Sequence, residues 1–226
     1  MIPGNAEKFD RPYLLLCEGP GDQRFFHRLI EQHQIGDDFS IRYPHKEGKW
    51  AGGRSSFSAD LRVVSVNEDF IKNVRAILVV SDRDDDPEKS LAEVKAEIAK
   101  VSGLPVPAKE GVVAKNEGNP RVVILMLPTV GDGNLETLCL QSAYAKWGLK
   151  PHLDRFVENS PANEWGKSKQ SKMRVQAILA ATNSNQPDAG FTSHWTQPAQ
   201  FQIPLDHACF ADLVNFLKGF RDLVEA

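Results

Sequence analysis

The sequence predicts an α/β fold, a mostly parallel β-sheet flanked by helices, and three observations carry that expectation. Residues 13–17 (YLLLC), 76–81 (AILVVS) and 122–127 (VVILML) are nearly continuous apolar runs, as strands buried on both faces must be. Segments with apolar residues at helical spacing alternate with them. Each run also leads into acidic residues: Glu18 after the first, Asp82 and Asp84 after the second, Asp132 and Glu136 after the third.

In chain order, the first strand stops at Glu18-Gly19-Pro20-Gly21. Phe25, Phe26, Leu29 and Ile30 then mark a helix over 22–33. Asp22 is read as its N-cap, as a ligand reaching a site through the loop, or as a cap that also orients a ligand. Residues 39–43 suggest another strand, and 44–56 a glycine-rich exposed loop carrying His45, Lys46, Lys49, Trp50 and Arg54. A helix is expected over 57–71. Asp86 followed by Pro87 reads as an N-cap and first-turn proline, opening a helix that closes at Val101 before Gly103 and Pro105.

Residues 106–120 read as a loop or hairpin, and Gly131-Asp132-Gly133-Asn134 as a turn before a helix over 135–145. The signal weakens over 147–166, returns as a helix over 169–181, and is irregular over 183–206. Phe210, Leu213, Val214, Leu217, Phe220 and Val224 then form the apolar stripe of a last helix, expected to pack on the core. The expectation is a single domain over 1–226 with a C-terminal helical elaboration.

Of 226 residues, 41% are hydrophobic and 25% charged, enough to bury a real core. A net charge of -3 offers no global attraction to nucleic acid or membrane, so any such contact must use local patches. Residues 1–11 lack the basic-then-apolar order of a signal peptide, and no apolar run reaches membrane-spanning length. A cytoplasmic location without membrane contact is therefore expected. Cys17, Cys139 and Cys209 are odd in number and set in apolar contexts, as reduced core residues are. Trp195 is expected to fill the core, His27 and His33 to lie on the first helix's surface, and Asp206-His207 to cap a helix start.

Neighbouring parallel strand ends share one edge, so Glu18, Asp82 and Asp84 are expected to meet there, with Asp22 and Glu136 as helpers. Like charges so placed repel unless a cation intervenes. Magnesium or manganese suits such a set, taking a few carboxylates, keeping waters and bridging to phosphate oxygens. If Asp82 and Asp84 are extended, the two-residue period puts them on one side and points Arg83 away or toward a phosphate. Asp85 and Asp86 are read as helix-starting acids.

Glu18-Gly19-Pro20-Gly21-Asp22 after one strand and Asp82-Arg83-Asp84 after another resemble the two signature motifs of the TOPRIM family. The resemblance implies a Rossmann-like α/β domain in which the glutamate and the Asp-x-Asp pair hold magnesium for phosphodiester chemistry. The later chain is similar to nucleases of the overcoming-lysogenisation-defect type and to small stand-alone TOPRIM-like bacterial proteins. There a Gly-x-x-Glu element and a downstream lysine accompany the core motifs. The matching positions are Gly133-Asn134-Leu135-Glu136 and a lysine of 167–172, Lys172 first and Lys169 second. No tyrosine is placed as a topoisomerase nucleophile, and no phosphate-binding Gly-x-x-x-x-Gly-Lys-Ser/Thr loop is present, so an ATPase would be a separate partner chain.

The expectation is metal-dependent phosphodiester hydrolysis on nucleic acid, with Glu18, Asp82 and Asp84 holding metal and Lys172 stabilising the added negative charge. The loop over 46–54 and the segment 167–174 are candidate tracks for a phosphate backbone. Two alternatives stand beside it. One is a haloacid-dehalogenase-like phosphatase, with Asp82 as nucleophile and Asp84 as acid/base. The other is a non-catalytic TOPRIM-like module that binds metal or nucleotide and acts through a partner.

Overall fold

The computed structural model describes residues 9–44 and 52–226. Its strands are β1 (Tyr13–Leu16), β2 (Phe39–Arg42), β3 (Ala76–Asp82) and β4 (Arg121–Leu127). All pair in parallel, in the order β2-β1-β3-β4. The helices are α1 (Pro20–Gln32), α2 (Phe57–Val64), α3 (Glu68–Asn73), α4 (Pro87–Ala99), α5 (Leu135–Trp147), α6 (Lys150–Glu158), α7 (Lys167–Thr182), α8 (Phe191–His194), α9 (Ala211–Lys218) and α10 (Phe220–Glu225). The expected α/β architecture with a parallel sheet and flanking helices is present. Among the described residues no helix is long and apolar enough to cross a membrane.

Strand side chains alternate between two cores, which is why the strand sequences are apolar throughout. Leu15, Leu78 and Val123 face α1, α5, α7, α9 and α10, whereas Leu14, Leu16, Ile77, Val79 and Ile124 face α2, α3 and α4. The chain steps from β1 to β2 through α1 on the first face. It then returns past β1 to β3 through α2 and α3, and on to β4 through α4, on the second face. Crossovers of one handedness require this exchange of faces whenever the direction of travel reverses. The reversal puts the topological switch point between β1 and β3, where the crevice of an open parallel sheet forms.

Several local expectations are corrected. Helix α1 begins at Pro20 after the N-cap Gly19, because proline is already shaped for a first helical position. Asp22 is therefore the third helical residue, and its Oδ2 accepts the Gly19 N–H at 2.9 Å. The single helix expected over 57–71 is two, since the Asn67 side chain accepts the Phe70 N–H at 3.1 Å and starts α3. The weak region 147–166 contains α6, the helix expected over 169–181 starts at Lys167, and the C-terminal stripe is divided between α9 and α10. Residues 111–114 bond to β4 through an antiparallel bridge between Ala114 and Val122, covering part of that edge.

Trp195 is buried against Phe25 and Phe191, as expected of a core filler. Cys17 and Cys139 are buried, but Cys209 is only half-buried. His207, rather than Asp206, makes the cap through Nδ1, which accepts the Cys209 N–H at 3.2 Å. A buried, two-pronged ion pair between Arg42 and Asp60, with contacts of 2.6 and 2.8 Å, fastens β2 to α2.

Candidate functional site

Glu18 is the second residue beyond β1, and Asp82 is the last residue of the neighbouring β3. The Glu18 carboxylate reaches across that gap. Its Oε1 accepts the Asp82 N–H at 3.0 Å and the Ser81 hydroxyl. Asp82 Oδ1 accepts the N–H of Leu135, at the start of α5, at 2.9 Å. The ends of β1 and β3 and the start of α5 are thus joined by carboxylates bonded to backbone amides, and Glu136 in the first turn of α5 acts by its charge on Asp22 and Asp82.

The electrostatics record how crowded these acids are. Asp22 is pushed up to about 7 by burial, then by the charges of Glu18 and Glu136. Burial, followed by Asp22, Glu18 and Glu136, holds Asp82 well above the usual carboxylate range. Glu136 is raised too, again chiefly by burial. Each of these groups resists ionising first because it is buried, and second because other acids lie close to it.

Lys172 answers that charge. Partial desolvation works against its ammonium, but Glu136, Asp82, Asp84 and Glu18 outweigh it and raise its pKa. The pairing depends on how α7 is seated. Asp85 Oδ1 accepts the Ser168 N–H at 2.9 Å, Asn134 Nδ2 donates to the Ser168 carbonyl at 3.0 Å, and the hydroxyls of Thr137 and Ser171 are 2.8 Å apart. Asp85 therefore starts α7 rather than α4, whereas Asp86 does cap α4 by accepting the Lys89 N–H at 3.1 Å. A Cβ on Gly166 would lie 2.1 Å from Asp85 Oδ2, so this approach requires glycine.

Asp85→Ala is expected to cost about 0.5–2 kcal/mol, the worth of a helix cap, in urea unfolding. Gly166→Ala should lose a similar amount by driving the Asp85 carboxylate off the helix. Because both act through one contact, the double variant should lose clearly less than the sum. Strict additivity would separate Gly166 from the cap.

Asp84 departs from the extended geometry expected of it. Its φ is 52°, and its carbonyl accepts the Gly133 N–H at 2.7 Å, so the two-residue side-chain period ends at Asp82. Its carboxylate meets Arg54, whose guanidinium also contacts Glu18 at 3.5 Å, Glu93 at 3.4 Å and the Asp82 carbonyl at 3.0 Å. Arg54 therefore turns inward instead of lying on an exposed loop. The other named residues of that loop, His45, Lys46, Lys49 and Trp50, lie outside the described residues. Among the described residues no three His, Cys, Asp or Glu side chains are gathered as a ready-made metal cage.

A family model described as "Protein of unknown function (DUF3226)" matches residues 12–222. The chain belongs to the DUF3226 family. Neither a curated protein nor a solved structure matches it significantly.

In this DUF3226 chain the remaining candidates have other employment. Arg83 turns away from the crevice and clasps both oxygens of Glu110 at 2.6 and 2.8 Å. Asp132 pairs with Lys167 at 2.6 Å, and Arg174 with Asp154 at 2.7 Å. Lys169 is exposed. Sequence reasoning missed the structural parts played by Asn134, Asp85 and Ser81. Asn134 carried a signal, since Asn-x-x-Thr is a helix-start pattern. Asp85 carried none, because its partner is 83 residues away in sequence.

A hard divalent cation would be the group to take carboxylate oxygens of this kind. Three of the acids are held toward their protonated forms by burial and by one another. Glu18, Asp82 and Asp84 would be the cation's ligands, with Asp22 and Glu136 as helpers.

Proposed function

We propose that this DUF3226 chain is a Mg2+- or Mn2+-dependent phosphodiesterase acting on nucleic acid, of the TOPRIM type that its motifs resemble. One observation supports the reading: Glu18, after β1, bonds the amide of Asp82 at the end of β3, and the charges of both, with those of Asp84 and Glu136, act on Lys172. When bound, a divalent cation polarises a phosphate and makes water a better nucleophile near neutral pH. Glu18, Asp82 and Asp84 hold it, Asp22 and Glu136 support them, and Lys172 meets the negative charge that grows on the phosphate. The phosphatase alternative gives Glu18 no task, although Glu18 bonds the amide of Asp82 itself.

The test is cleavage of DNA and RNA, single- and double-stranded, with and without Mn2+. Lys172→Met should lower turnover by about 10²-fold or more while leaving Mn2+ affinity within a fewfold, whereas Lys169→Met should change neither. Mn2+ binding without cleavage of any nucleic acid would favour the second reading, a metal-binding module acting through a partner. The grip of Arg54 on Glu18 and Asp84 favours that reading, because it engages two of the proposed ligands.

A further inference from the structure

Arg54 is the least expected member of the site. It stands on a short 3-10 turn, Arg54–Ser56, that leads directly into α2. The preceding residue is tied to the site, since the Gly53 N–H donates to the Glu18 carbonyl at 2.8 Å. The Arg54 side chain is 11% exposed, and its guanidinium touches Glu18, Asp84 and Glu93 together with the Asp82 carbonyl. One positive charge thus bridges Glu18 and Asp84, two of the acids proposed to hold the metal.

We infer that Arg54 is an internal cation that occupies the Glu18 and Asp84 carboxylates and is released when a divalent metal binds. The inference rests on the metal-binding reading above. A divalent ion carries twice the charge and draws carboxylate oxygens to about 2.0–2.1 Å for magnesium. It therefore competes directly with the guanidinium for the oxygens Arg54 holds. The fork of an arginine fits two carboxylates well, so its displacement subtracts from the net affinity for metal. The Gly53 anchor keeps the released guanidinium beside the crevice.

Two measurements test this. Mn2+ affinity, followed by electron paramagnetic resonance of free Mn2+, should be about tenfold tighter for Arg54→Gln than for the wild-type chain. In the 15N-labelled wild-type chain, saturating Mg2+ should move the Arg54 Nε–H resonance, since Nε lies 3.5 Å from Glu18 Oε1, and the measurement needs no variant to fold. Equal or weaker Mn2+ binding by a folded Arg54→Gln overturns the inference but leaves the metal site standing. An unmoved Arg54 resonance at saturation does the same. No Mn2+ binding by either protein removes the metal reading itself, and this inference with it.

Discussion

Asp82→Asn is expected to lower Mn2+-dependent cleavage by at least about 10³-fold, the scale of removing a group that acts directly on charge in a reaction, and to weaken Mn2+ binding. The same substitution should stabilise the metal-free chain at neutral pH. An asparagine Oδ1 can still accept the Leu135 N–H that Asp82 now accepts at 2.9 Å. Its Nδ2 would place donors near Asp22, Glu18 and Glu136, which add to burial in holding Asp82 up. Each kcal/mol recovered raises the melting temperature by about 2–4 °C in a chain of this size. The opposed signs are diagnostic. A residue kept for structure would lose stability when changed, whereas a ligand held in a repulsive cluster gains it. Unchanged Mn2+ affinity in the variant would remove Asp82 from the metal site.

Stability should also fall as pH rises from 6.5 through about 7 when no divalent metal is added. Asp22, at about 7, and Asp82, held well above the usual range, keep protons in the folded chain that the unfolded chain has already released. The folded state then binds more protons, so the free energy of unfolding declines with pH. The slope is about 1.4 kcal/mol per pH unit for each proton retained. His194 bears on the lower end of the range. Burial depresses it to about 4, so the stability tied to its neutral form is complete above 6.5 and is lost as pH falls below that. Above 6.5 the carboxylates act without that opposition. Saturating Mg2+ should counter the decline, because ligation needs deprotonated carboxylates. The melting-temperature gap between Mg2+-loaded and metal-free protein should therefore widen with pH. A gap of constant width would exclude these acids as ligands.

Much of the candidate site was legible because it lies at strand ends. A continuous apolar run announces a doubly buried strand, and the acid that follows marks where the chain leaves the core. Glu18, Asp82 and Glu136 could be placed at one edge on that ground. The geometry past the strand ends was not legible in the same way. Asp84 turns into the left-handed region and bonds to Gly133, a conformation set by a partner 49 residues on. Asp22 and Asp85 each sit beside a helix start; the sequence leaves Asp22 open between cap and ligand and assigns Asp85 to the nearest helix. For Asp85 the nearest helix was the wrong one, since it caps α7.

The sequence by itself determined the α/β class, the strands, and which acids end them, since burial on two faces and helical periodicity are local patterns. Only the tertiary structure decided the strand order β2-β1-β3-β4 and hence the switch point between Glu18 and Asp82. It also decided that Lys172 answers their charge, and that Arg54 grips Glu18 and Asp84. These are contacts between residues tens of positions apart. Their energies depend on distance and burial in the folded chain, quantities that no local pattern contains.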